Sequence, residues 1–193
     1  VRTLDDINNL LRAGADKVSI NTAAVNNPDF INEASRSFGS STIVVAIETI
    51  KQADGSYLAY TDNGREYTNL KVLNWCSEVE DRGAGEILLT SIDQEGTGNG
   101  FDIELIRKVS SQVSVPVIAH GGAGNINHII ESINSGNADA VSIASMLHYA
   151  NLNTNEVYTE EFHEEGNIEL LRKNKDLSFC HENDNKFINL KIC

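Results

Sequence analysis

Two carboxylates and an imidazole stand where apolar runs stop. Glu48 closes the run 42–48 (TIVVAIE), and Asp93 follows the run 86–89 (EILL) across Thr90, Ser91 and Ile92. Carboxylates delivered by neighbouring strand ends suit paired acid–base work, because burial and mutual repulsion give the two groups different proton affinities. The plainer alternative for Glu48 is a rim charge in solvent. His120 ends the run 115–119 (VPVIA) and adds the side-chain type that changes charge near neutral pH. A lone histidine is more often structural.

Small residues follow the last two apolar runs. Gly121, Gly122, Ala123 and Gly124 come after His120, and Ala144-Ser145 comes after 139–143 (DAVSI). Glycine lets a backbone approach an anion closely, and a helix opening at Ser145 would present unpaired N–H groups. Together they suit a phosphate; a tight turn that binds nothing is the alternative. Asn21-Thr22 after Lys17–Ile20 offers further polar groups, for a second phosphate or for capping a strand end. Lys17 and Glu86 stand at the opposite ends of their strands, where an ion pair, or a gate, is expected.

The elements that position these residues alternate. The spacing of Leu4, Ile7, Leu10 and Leu11 predicts a helix over 4–13, and Pro28 opens another that stops near Gly39. Further helices are predicted at 70–82, 102–112 and 125–135, with strands at 17–20, 42–48, 86–89, 115–119 and 139–143. The continuous β-branched run 42–48 is typical of a parallel strand buried on both faces. Residues 55–68 break the alternation: Asp62-Asn63-Gly64 between two polar-aromatic runs predicts a β-hairpin inserted after the Glu48 strand. The helix-to-strand joint recurs as RAGADKVSI (12–20), DRGAGEILL (81–89) and SGNADAVSI (135–143), a repeated β/α unit. Five parallel strands are too few for a closed eight-stranded barrel, and an open doubly wound sheet is the structural alternative. In a β/α barrel the strand carboxyl ends carry the chemistry and the other face carries stability.

The strings GADKVSINTAAV (14–25), RGAGEILLTSIDQEGTGNGFD (82–102) and VPVIAHGGAG (115–124) resemble the cyclase subunits of imidazole glycerol phosphate synthases, over about residues 1–150. The resemblance implies a (β/α)8 TIM-type barrel of which about strands 4–8 are present. It implies an ammonia-using cyclase/lyase of histidine biosynthesis, without metal or redox cofactor. Its partners would be a glutaminase subunit and a bisphosphorylated substrate. By this resemblance Glu48 is catalytic, with Asp93 the second candidate from the residue reading above, and Asn21 and Thr22 hold one phosphate. Glu95, Gly96, Gly122, Ala144 and Ser145 position the other end of the substrate, beside Gly121 of the glycine turn read above. Lys17 and Glu86 belong to an ammonia gate, beside which Asp16 faces the glutaminase. The family's usual residues at two positions are Asp and Ser, where this chain has Glu48 and His120. Its other catalytic Asp lies on a first strand that precedes Val1, so the expectation is an N-terminally truncated chain, inactive alone. Glu48, His120 and SMLHY (145–149) also resemble a paralogous group serving sugar amidation in surface polysaccharide synthesis. A non-catalytic fragment that only binds the glutaminase is a third reading.

Of the 193 residues, 40% are hydrophobic, enough for a core, and the net charge is −13. That charge argues against nucleic acid or an anionic membrane as the main partner. Cys76, Cys180 and Cys193 have no C-x-x-C spacing, which fits free thiols in a reducing cytoplasm. Residues 151–193 differ in texture, acidic and then mixed; a partly helical extension with a helix at about 159–173 is expected.

Overall fold

A computed structural model describes residues 1–152. The chain forms two compact units, Val1–Ile143 and Ala144–Cys193. Of the second, the described part is helix α7 (Ser145–Leu152); the helix expected at 159–173 lies outside the described residues.

The first unit is built on strands β1 (Val18–Ile20), β2 (Ile43–Lys51), β3 (Tyr57–Thr61), β4 (Glu66–Lys71), β5 (Glu86–Ser91), β6 (Val117–His120) and β7 (Ala140–Ser142). Its helices are α1 (Leu4–Arg12), α2 (Thr22–Asn26), α3 (Asp29–Phe38), α4 (Val72–Asp81), α5 (Ile103–Ser110) and α6 (Ile126–Asn134). Strands β1, β2, β5, β6 and β7 pair in parallel, in that order. This is the succession of β/α units of a (β/α)8 TIM-type fold.

The hairpin β3–β4 pairs antiparallel with β2. Because β5 occupies one edge of β2, strands β1 and β3 must share the other. β1 takes its first half, Ile43 to Val45, and β3 its second, Glu48 to Lys51. The run 42–48 therefore does not end at Glu48. It continues through Thr49, Ile50 and Lys51, because the returning hairpin satisfies backbone groups that would otherwise face water.

Sheet alternation sorts the side chains. Val45, Ile47, Ile87, Leu89, Val117 and Ala119 are buried, on the face that α3, α4 and α5 cover. Trp75, Cys76 and Val79 of α4 fill that layer with Phe30, Ile31 and Ala34 of α3. Local signals set the helix starts. Thr3 and Asp6 form a reciprocal capping box on α1, Asp102 accepts from Leu105 N at α5, and Asn125 accepts from Asn127 N and His128 N at α6.

The recurring joint keeps one conformation. Its third residue is left-handed in all three copies, with φ of 106° at Gly14, 99° at Gly83 and 58° at Asn137. In the third copy the left-handed residue is thus Asn137 rather than the glycine beside it, Gly136. Asn is the non-glycine type that tolerates this region best.

Candidate active site

The face opposite the helices carries one polar row. The register aligns Tyr60 with Glu48, Glu48 with Thr90, Thr90 with His120 and His120 with Ser142. Laterally paired residues share a sheet face. Four residues from β2, β5, β6 and β7 therefore stand abreast near the carboxyl ends of the parallel strands. The row beneath is apolar: Ala46, Leu88, Ile118 and Ala140.

Each candidate carboxylate has one oxygen held by a backbone N–H of the hairpin arm. Gly64 N donates to Glu48 Oε2 at 3.0 Å, from the tip. Lys51 N donates to Asp93 Oδ2 at 2.7 Å, at the root. Bonds of this type hold a carboxylate in place and leave its second oxygen for other work. The tip reaches Glu48 through three consecutive left-handed residues, Asp62, Asn63 and Gly64, with φ of 53°, 56° and 77°. Sequence reasoning placed the hairpin and missed this service to Glu48. The Asp-Asn-Gly signal was visible, but where the tip lands depends on β2 extending past Glu48.

The hairpin root is braced against α5. Tyr57 Oη lies 3.2 and 3.1 Å from the two oxygens of Asp102 and 3.4 Å from Glu104 Oε2. Lys51 Nζ and Lys108 Nζ contact Glu104 at 2.7 and 2.8 Å, and each stands 5.3 Å from the Tyr57 ring centroid. Hydrogen bonds from Lys108 and Lys51 bring the Glu104 carboxyl down to about 2, and the Glu104 bond is the main cause that raises Lys51. Burial, chiefly, pushes the Tyr57 phenol up to about 12. None of these five residues was a sequence-level site candidate, since their grouping joins segments about fifty positions apart.

His120 Nδ1 lies 3.0 Å from Ser142 O. A carbonyl oxygen only accepts, so Nδ1 must carry the hydrogen. Nε2 then faces Glu95 Oε1 at 3.7 Å, a pair that is ionic only with the imidazole protonated. Glu95 and Gly96 lie in the loop after β5, with Glu95 exposed.

The glycines after β6 serve loop packing. A Cβ on Gly121 would lie 2.5 Å from Ser91 O, on Gly122 2.0 Å from Gly100 O, and on Gly124 2.1 Å from Gly98 O. Gly100 N donates to Gly122 O at 2.7 Å, locking the two loops together. The close approach expected of an anion is thus made first by another stretch of backbone. The N–H groups of Gly122 and Ala123 bond no other described residue.

Asn21 and Thr22 lie where β1 meets α2. Asn21 Oδ1 is buried without a hydrogen-bond partner among the described residues, and the side chain does not cap α2. Thr22 is exposed. Ala144 and Ser145 open the second unit, Ser145 as the first residue of α7.

At the amino ends of the strands Lys17 Nζ reaches Glu86 Oε1 at 2.8 Å and Ser41 O at 2.9 Å. The lysine side chain is 44% exposed, so the pair contributes at most about 1 kcal/mol of stability. Asp16 beside it is exposed. Among the described residues no cluster of His, Cys, Asp or Glu could hold a metal ion, and no helix is long and apolar enough to cross a membrane.

The family described as Histidine biosynthesis protein matches residues 1–153. Two curated relatives, from Nostoc sp. (strain PCC 7120) and Trichormus variabilis, are each 49% identical over 160 residues and are named imidazole glycerol phosphate synthase subunit HisF. The alignments cover 81% of this chain and 62% of each relative, so the chain spans about three-fifths of their length. With β/α units in series and a family match across all the described residues, the chain belongs to the histidine biosynthesis protein family.

Proposed function

We propose that the protein acts as the ammonia-dependent cyclase subunit of an imidazole glycerol phosphate synthase. It would yield imidazole glycerol phosphate and aminoimidazole carboxamide ribotide, with a glutaminase as partner. The observation that carries this reading is the separation of two polar sets on one sheet. Glu48, with Asp93 on the adjoining loop, stands at the carboxyl ends, and Lys17–Glu86 at the amino ends. A two-ended arrangement suits ammonia entering beside Lys17 and Glu86, past Asp16, and meeting substrate at the far rim. There the free oxygens of Glu48 and Asp93 would move protons. The Gly122 and Ala123 N–H groups would take one phosphate, and Asn21-Thr22 the other. Glu95 and Gly96 would fix the orientation between them.

Both relatives carry the histidine-pathway name, which favours this acceptor over a sugar. The test is complementation. The full-length gene that carries this chain should restore growth without histidine to a strain lacking its own cyclase subunit, and Glu48→Gln should abolish the rescue. Failure of the unaltered gene, with the protein present in the cells, would refute the proposal.

A further inference from the structure

We infer that Glu48 and His120 form a single acid–base pair that works across Thr90 on the bound molecule; this rests on the function proposed above. The register makes both residues lateral neighbours of Thr90, on one face and on opposite sides of it. Two inter-strand spacings put their Cα atoms roughly 10 Å apart. That span sets a carboxylate and an imidazole on two sides of one ligand group, and no hydrogen bond joins them directly.

Each partner is fixed on the side away from the gap. Glu48 Oε2 is tied to Gly64 N, leaving Oε1. His120 Nδ1–H is tied to Ser142 O, leaving Nε2. A pair so pinned has one reactive atom each, with the imidazole tautomer decided in advance by the carbonyl. The proton balance is simple. Glu48 Oε1 takes a proton from the bound molecule on the β2 side, and imidazolium Nε2–H gives one on the β6 side. Both groups then reset by exchange with water.

The ionisable groups facing His120 are Glu95 from the loop after β5 and Glu48 from β2; β7 contributes Ser142. Asp93 is turned to Lys51 N, and His128 of α6 is engaged by Gly124 N and Asn125. Glu95 at 3.7 Å is beyond a hydrogen bond and exposed. It serves the imidazolium as a movable counter-charge, not as a competing base locked in place.

Two measurements test the pair. The first is the pH–rate profile of the cyclase reaction for the whole protein and four variants. Glu48→Gln and His120→Asn should each lose one limb of the profile and at least tenfold in kcat. Asn can keep a donor towards Ser142 O, so a fold defect is not the cause. Glu48→Asp should keep both limbs at reduced rate. The double substitution should be no slower than the slower single one, since half a pair and no pair are equally idle. Effects that multiply, or a His120→Asn variant with both limbs intact, would overturn the inference.

The second measurement reads the pair without turnover. In the 15N-labelled 193-residue chain, His120 should show hydrogen on Nδ1. Glu48→Gln should move its Nε2 resonance and leave that of His128 in place. A protein that shows this coupling but no cyclase turnover would sink the proposed function and keep the pair. An Nε2 resonance indifferent to Glu48→Gln would sink the pair whatever the turnover.

Discussion

Gly122→Ala tests whether the loops after β5 and β6 really interlock. Two separate costs are expected. Gly122 has φ of 102°, and placing an L-residue at positive φ costs about 1–2 kcal/mol. The added Cβ would lie 2.0 Å from Gly100 O, so one loop must retreat. That retreat breaks or stretches the 2.7 Å bond from Gly100 N to Gly122 O, worth about 0.5–1.5 kcal/mol, more where water cannot replace it. The sum is about 1.5–3.5 kcal/mol, a large share of a typical domain's stability. Gly55→Ala supplies the control. Its φ of 80° carries the conformational cost, and nothing lies within 4 Å of its Cβ. Equilibrium urea unfolding of the chain should place Gly122→Ala about 0.5–1.5 kcal/mol below Gly55→Ala, with the slope unchanged. Equal losses would mean that the loops do not meet as described. The assignment of these glycines to loop packing would then be wrong.

Tyr57→Phe should destabilise the chain by about 1–2 kcal/mol at pH 7 in the same assay, since it removes the hydroxyl shared with Asp102 and Glu104. The phenol's pKa is raised by folding to about 12 from 10.0. Its contribution should therefore be complete below pH 10 and fade as pH rises through 12. The stability difference between wild type and Tyr57→Phe should shrink over that interval, and a constant difference would refute the placement. Cys76 is fully buried, and burial pushes its thiol up to about 12. In a Cys180→Ser/Cys193→Ser background it should resist dithiobisnitrobenzoate at pH 8 until denaturant is added. Prompt labelling of the folded chain would contradict the packing of α4.

The strand-and-helix succession was legible because each element carries its own local signal. The capping pairs of Thr3 with Asp6 and of Asp102 with Leu105 are short-range, and so are the three copies of the joint. The short helix α2 was not anticipated. Thr22–Asn26 is a single turn and a half without a capping side chain or an apolar period to mark it. The length of β2 was misjudged for another reason. The continuous apolar run stops at Glu48, and Thr49, Ile50 and Lys51 become strand by pairing with residues 57–59, Thr49 also with Ser91.

The site was legible as a set of strand ends, because parallel β/α units bring those ends to one rim whatever the side chains are. What could not be read was how each side chain is held. Glu48 and Asp93 sit 45 positions apart and are steadied by Gly64 and Lys51 of one hairpin. That hairpin is steadied in turn by α5 through Tyr57 and Lys51. Orientation here is inherited through backbone N–H groups, which have no letter in a sequence. The hairpin is therefore better understood as the shelf on which both carboxylates rest than as an insertion beside them. A change at Tyr57 that leaves every rim residue intact should still reach the rim, through the Lys51 N–H that ends at Asp93.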